Sequence, residues 1–233
     1  MSLVFIIMAI AGYLVGAIPM AYLLSRWRRG IDIRRYGSGN VGASNVVKTA
    51  GKRLGLAVFI FDVSKGAVMI LLSGALGLAL WQQIVVGLFT IAGHNWPVFL
   101  RFNGGRGIAT SLGVALVMAP VPALIALGIA IAFGLFKKMA PGVFLGVAAL
   151  PFMSGYFHGF FGIREYQTIS WGFIGIFLIM VTRRLMAPDN EYAHTVSKAE
   201  LIFNRMFLDR DIRSRSVWIN RNSAPAEESP DIL

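Results

Sequence analysis

Long apolar stretches broken by short polar punctuation fill residues 1–185. Residues 2–25 carry no charge, and the basic residues Arg26, Arg28 and Arg29 follow the run instead of preceding it. A cleavable leader puts its cations first, so this stretch predicts a spanning helix whose N-terminus lies outside. Pro19 predicts a kink in its second half. Residues 54–78 predict a return helix, Trp81, Gln82 and Gln83 its outer turn, and residues 84–92 a brief inward segment ending near His94. Residues 108–119 run outward, Pro120, Val121 and Pro122 turn the chain, and residues 123–136 return to Lys137 and Lys138. Residues 143–156 and 169–181 form the last pair, joined by an outer loop holding Arg164 and Glu165, with Arg183 and Arg184 as inner anchors. The pattern predicts an all-α integral membrane protein of about seven spans, N-terminus outside and C-terminus cytosolic, with nearly every basic cluster on one side.

Composition sharpens this reading. Of 233 residues 56% are hydrophobic and only 14% charged, with a mean hydropathy of +0.67; soluble domains carry about 25% charged residues. The net charge of +11 then records which loops stay near anionic lipid, and nucleic acid is not an expected partner. There is no cysteine, which excludes disulfides and thiolate chemistry. Residues 186–233 differ in kind, polar and charged, and form a cytosolic tail. Ser197 and Glu200 make a capping box before Leu201, Ile202, Phe203, Met206, Phe207 and Leu208, so residues 197–210 predict an amphipathic helix, lying on the membrane or packed on the bundle. Disorder is expected from Ser214 onward.

Two polar loops carry the candidate chemistry. The first holds Gly37, Ser38, Gly39, Asn40, Val41, Gly42, Ala43, Ser44 and Asn45, flanked by Arg34, Arg35 and Lys48. Glycines let a ligand approach backbone N–H groups closely, and short Ser and Asn donors can turn toward the same point, a composition suited to phosphate. The second loop, Gly104, Gly105, Arg106 and Gly107, repeats the recipe with a cation built in.

These loops carry a resemblance. The run from Asp32 to Asn45, with Ile18 and Pro19 upstream and Asp62, Lys65 and Gly66 downstream, resembles the first motif of the bacterial acyl-phosphate:glycerol-3-phosphate acyltransferases. The segment Gly93-His94-Asn95-Trp96-Pro97-Val98-Phe99, followed by Arg101, Phe102 and Gly104 through Thr110, resembles the second. The resemblance implies an inner-membrane enzyme of seven spans with its site facing the cytosol. It implies transfer of a fatty acyl group from acyl phosphate to the 1-hydroxyl of glycerol 3-phosphate, giving lysophosphatidic acid, with no cofactor and no metal. On that reading Ser38, Arg106 and His94 are catalytic. Gly37, Gly39, Asn40, Gly42, Ala43, Ser44, Asn45, Lys48, Gly104, Gly105, Gly107 and Thr110 bind substrate. Acyl phosphate, glycerol 3-phosphate and the lipid bilayer are then the partners, and no oligomeric state is implied. Arg106 stands where the family has lysine and Lys48 where it has arginine. The family's hydroxyl-bearing third motif and its His-Arg-Glu-Asn fourth motif have no counterpart at residues 140–144 and 178–185.

The same residues admit plainer roles. His94 is either a base or a loop-bonded side chain, and Asp62 with Lys65 three residues on is read as a structural ion pair. The rival functions are a divergent relative with another acceptor or no turnover, and a small membrane transporter.

Overall fold

The computed structural model describes residues 2–188 and 190–220. These residues fold into helices α1 (Leu3–Ala17), α2 (Met20–Arg29), α3 (Ala43–Thr49), α4 (Lys52–Ala75), α5 (Leu80–Asn95), α6 (Ile108–Met118), α7 (Pro120–Leu135), α8 (Met139–Tyr156), α9 (His158–Phe161), α10 (Tyr166–Leu185), α11 (Lys198–Phe203) and α12 (Arg215–Asn220). No strand occurs among the described residues. Each of the seven expected apolar stretches is helical, and among the described residues five helical stretches are long and apolar enough to cross a membrane, two of them, Leu3–Arg29 and Leu80–Leu100, spanning more than one element. At 1.5 Å per residue α6 reaches only about 16 Å, roughly half a hydrocarbon core. The inward segment expected at 84–92 is longer at both ends: Trp81, Gln82 and Gln83, expected as a turn, open α5, and His94 and Asn95 continue it. Pro120, Val121 and Pro122, also expected as a turn, form the first turn of α7, where a missing N–H costs nothing.

Pro19 does more than kink the first span. With no N–H to offer, it ends α1 at Ile18 and restarts the chain as α2. The break frees carbonyls, and Lys65 of α4 donates to two of them, Gly16 O at 2.9 Å and Ile18 O at 3.5 Å. A buried cation thus caps a broken helix inside the bundle.

Small residues let the helices close on one another. A Cβ at Gly113 of α6 would overlap Val63 O of α4, so that pair packs backbone against backbone. The larger core lies between α5, α6, α7, α8 and α10, around Ile91, Val114, Leu150, Phe173 and Ile176. A smaller one, with Ile33, Val41, Val46, Val58 and Leu100, sits under the first polar loop and anchors it to the bundle. Leu3, Ile60, Leu71, Leu124 and Trp171 lie exposed on the outer faces, as lipid contact requires.

The tail is built onto the bundle. Ser197 caps α11 by accepting from Glu200 N at 3.2 Å. The helix then loosens into a π-helical turn, Asn204–Leu208. Phe207 packs its ring against Phe144 of α8, centroids 4.7 Å apart. Arg184 of α10 donates to Met206 O at 2.6 Å. Disorder was expected from Ser214, but α12 is helical and buries Trp218; residues 221–233, covered by the same expectation, lie outside the described residues.

Candidate active site

The two polar loops meet. A narrow cleft is lined by residues 16–21 at the α1–α2 break, by Val41 of the first loop, by Asp62, His94 and Pro97, and by Gly104 and Gly105 of the second. Gly105 sits so close to its neighbours that an added Cβ would overlap His94 Nε2 and lie 2.8 Å from Val41 O. Only glycine fits there.

The floor of the cleft is a buried polar triad. Lys65 Nζ lies 2.8 Å from Asp62 Oδ1 and 2.9 Å from His94 Nδ1, and His94 Nδ1 lies 3.4 Å from the same carboxylate oxygen. With Gly16 O at 2.9 Å and Ile18 O at 3.5 Å, the three protons of the ammonium are shared among four neighbours. The ion pair read from the sequence is therefore present. His94 Nδ1 thus faces both the ammonium and the carboxylate, which fixes the ring on the floor of the cleft.

The first loop is held by its own side chains. Asn45, fully buried, accepts from Ser38 N at 3.0 Å and donates to Ile33 O and Tyr36 O at 3.2 and 3.0 Å. Every polar atom of that amide is engaged in shaping the turn, where Gly37 and Gly39 take φ of 57° and 68°. Ser38 Oγ accepts from Asn40 N at 3.4 Å. Gly42 starts α3, and Asn45 N and Val46 N both return to Gly42 O. The N–H groups of Ala43 and Ser44 at that turn have no place in this pattern. At the loop's entrance Asp32 accepts from Arg34 N, Nε and NH2 at 2.7–3.2 Å. These bonds hold its pKa below the ordinary 3.8. Lys48 lies outside the cleft lining; partial desolvation, and then the like charge of Arg215, lowers its pKa from 10.5.

The second loop is stapled from outside. Arg183 at the end of α10 donates from Nε to Gly105 O at 2.9 Å and from NH2 to Gly104 O at 2.8 Å. Arg106 is not among the cleft-lining residues: it donates to Arg183 O at 3.0 Å and pairs through Nε with Asp209 of the tail at 2.8 Å. Gly107 takes φ of 71° and opens α6. Beside it Asn95 is completely buried with no hydrogen-bond partner for either amide atom, and Thr110 Oγ1 is likewise buried and unpaired. Sequence reading assigned no role to Asn95 or Asp209 and took Arg183 only as a topological anchor. The signal for Asn95 was its place between His94 and Trp96; Asp209 gave none.

Comparison with known proteins places this architecture. A family model described as glycerol-3-phosphate acyltransferase matches residues 6–187. The chain belongs to the glycerol-3-phosphate acyltransferase family. It is 99% identical over 233 residues, the whole of both chains, to glycerol-3-phosphate acyltransferase 5 of Dehalococcoides mccartyi (strain ATCC BAA-2266 / KCTC 15142 / 195). It is 44% identical over 150 residues, 64% of this chain and 77% of the other, to glycerol-3-phosphate acyltransferase 2 of Moorella thermoacetica. Among solved structures it resembles PlsY (YgiH), an integral membrane glycerol 3-phosphate acyltransferase, in its glycerol 3-phosphate form. That match has a TM-score of 0.68 and 31% identity over 77% of this chain and 88% of that one. The lysophosphatidic acid form of the same enzyme matches with a TM-score of 0.67 and 30% identity, over 77% of this chain and 87% of that one. The family match ends at residue 187, so Asp209 belongs to chain beyond it.

Proposed function

We propose that this acyltransferase moves a fatty acyl group from acyl phosphate to the 1-hydroxyl of glycerol 3-phosphate, at the cytosolic face of a bacterial inner membrane. The observation that carries the reading is the convergence of the two glycine loops, through Val41 and Gly105, over the Asp62–Lys65–His94 floor. Two phosphorylated substrates need two sets of anion donors in reach of one another, and adjacent loops supply them. The orientation proposed is seven spans with the N-terminus outside. It rests on the alternation of the spans, which brings Arg26, Arg28, Arg29, Lys52, Arg53, Lys137, Lys138, Arg183 and Arg184 to one side of the bilayer in this reading.

In this scheme the N–H groups of Ala43 and Ser44, with Ser38 and Asn40, cradle the acyl phosphate. Arg106 and Lys48, which flank the cleft and are not part of its lining, hold the glycerol phosphate from outside by charge-assisted bonds. The acceptor hydroxyl attacks the acyl carbonyl, a C–O bond to glycerol forms and the C–O bond to phosphate breaks. The hydroxyl proton is carried away on the released phosphate, so the balance requires no protein base. With Nδ1 held by Lys65, His94 donates from Nε2 in this scheme, and it and the loop N–H groups stabilise the oxyanion formed on the way. The acyl chain lies among apolar helix faces.

The test is purified protein in detergent or liposomes with glycerol 3-phosphate and, in separate arms, acyl phosphate, acyl-CoA and acyl carrier protein as donors, scored for lysophosphatidic acid. Product with acyl phosphate alone supports the scheme; product only with another donor sinks the donor assignment. Arg106→Ala raises KM for glycerol 3-phosphate and Ser38→Ala raises KM for acyl phosphate. Unchanged kinetics in both variants would remove these loops from the site.

A further inference from the structure

The contact between Arg106 and Asp209 joins the second loop to a part of the chain that the family match does not cover. Asp209 is not there by chance of a long side chain. It follows the π-helical turn at Asn204–Leu208 and takes φ of 54°, a left-handed conformation that a non-glycine residue adopts at a cost. The turn is braced on both sides. Arg205 pairs with Asp211 at 2.8 Å, Asn190 donates to Asp211 Oδ2 at 2.6 Å, Asn204 donates to Asp211 O at 3.0 Å, and Arg205 NH1 reaches Leu185 O at 3.1 Å. The brace delivers one carboxylate to one guanidinium.

What that carboxylate meets is a crowd of cations. Arg106 and Arg183 lie together at the second loop, Arg106 on Arg183 O and Arg183 on Gly104 O and Gly105 O. Asp209 is the acid that contacts this group. Yet Arg106 Nε and Asp209 Oδ1, 2.8 Å apart, make no well-aligned hydrogen bond. A carboxylate and a phosphate present the same kind of charged oxygen to a guanidinium, and the phosphate dianion brings more charge and more acceptors.

We propose that Asp209 is an internal competitor for the phosphate-binding cation Arg106. The segment around Asp209 docks beside the second loop and gives way when a phosphorylated substrate binds. The inference rests on the reading that Arg106 holds the glycerol phosphate. Tethering keeps the carboxylate at high effective concentration, so docking lowers the apparent affinity for substrate by the fraction of molecules in the docked form. An ion pair of this partial exposure sets that factor at about 1.5 to 5.

The experiment has three arms, all on the full chain. Asp209→Asn keeps the side chain's shape and removes its charge; KM for glycerol 3-phosphate falls about 1.5- to 5-fold without a fall in kcat. On the wild-type protein, limited trypsin digestion is followed at the bond after Arg205, whose side chain is 9% exposed when the tail is docked. Glycerol 3-phosphate, and inorganic phosphate at higher concentration, accelerate that cleavage. A raised KM or lowered kcat in Asp209→Asn, or protection of Arg205 by glycerol 3-phosphate, overturns the proposal and makes the tail a part that completes the site. No change in both arms overturns it as well. Should Asp209→Asn fail to fold, the wild-type digestion alone decides. The third arm, Arg106→Ala, separates the two readings. If it keeps wild-type KM, the assignment of Arg106 to phosphate fails first. If it is crippled while Asp209→Asn and the digestion show nothing, only the competitor role falls.

Discussion

Replacing Asp62 by leucine removes one member of a buried pair and leaves the other. The side chains of Asp62 and Lys65 are 3% and 2% exposed, so neither charge has water to fall back on. Breaking such a pair from one side costs about 3–5 kcal/mol. Lys65→Met is worse, because it strands the carboxylate and also uncaps Gly16 O at the helix break, adding about 1–3 kcal/mol. Simple addition puts the two changes at about 7–13 kcal/mol, comparable to the whole stability of a folded protein. The double variant Asp62→Leu/Lys65→Met carries no stranded charge, and its cost falls to about 2–6 kcal/mol for two orphaned polar groups, the Gly16 carbonyl and His94 Nδ1. The double variant therefore loses less than the sum of the two single changes, and less than Lys65→Met alone. Unfolding midpoints of the three variants and wild type in detergent micelles test the ordering, with about 2–4 °C expected per kcal/mol for a chain of this size. Midpoint losses that simply add would refute the reasoning, because they would mean the two charges do not depend on one another. Since Gly16, Ala17 and Ile18 line the cleft, the double variant also loses activity while staying folded.

Other outcomes follow from the same geometry. Gly105→Ala drives a methyl group into His94 and against Val41 O, and turnover falls about 100-fold, the scale expected for misplacing reacting groups by an ångström; wild-type turnover would show that the loops do not meet during catalysis. Arg183→Lys cannot span both Gly104 O and Gly105 O as the guanidinium does, so it fails to restore the activity lost in Arg183→Ala, and equal activity of Arg183→Lys and wild type in the same assay would sink this account. Asp32 titrates below 3.8 in the folded state, so its bonds to Arg34 stabilise fully above that value and are lost as pH falls through the lower, folded one. Wild type and Asp32→Asn therefore differ by a constant amount from pH 7 to about 5 and converge below about 4, as unfolding at a series of pH values would show.

The helices and the polar loops were legible in the sequence because each is a local matter. An apolar run flanked by arginines makes a membrane helix wherever it stands, and Pro19 ends one by chemistry it carries itself. Asp62 and Lys65 announced their pairing because three residues of helix put them on one face. The cleft was not local. Val41 and Gly105 are 64 positions apart in the sequence, and their contact depends on α1, α4 and α5 packing through small residues whose spacing points to no particular partner. The position of His94 against Lys65 and Asp62, the capping of Gly16 O by Lys65 and the stapling of Gly104 and Gly105 by Arg183 arise only once those helices are assembled. So does the commitment of Arg106 to Asp209, since an arginine's charge is written in the sequence but its partner is whichever anion the fold delivers.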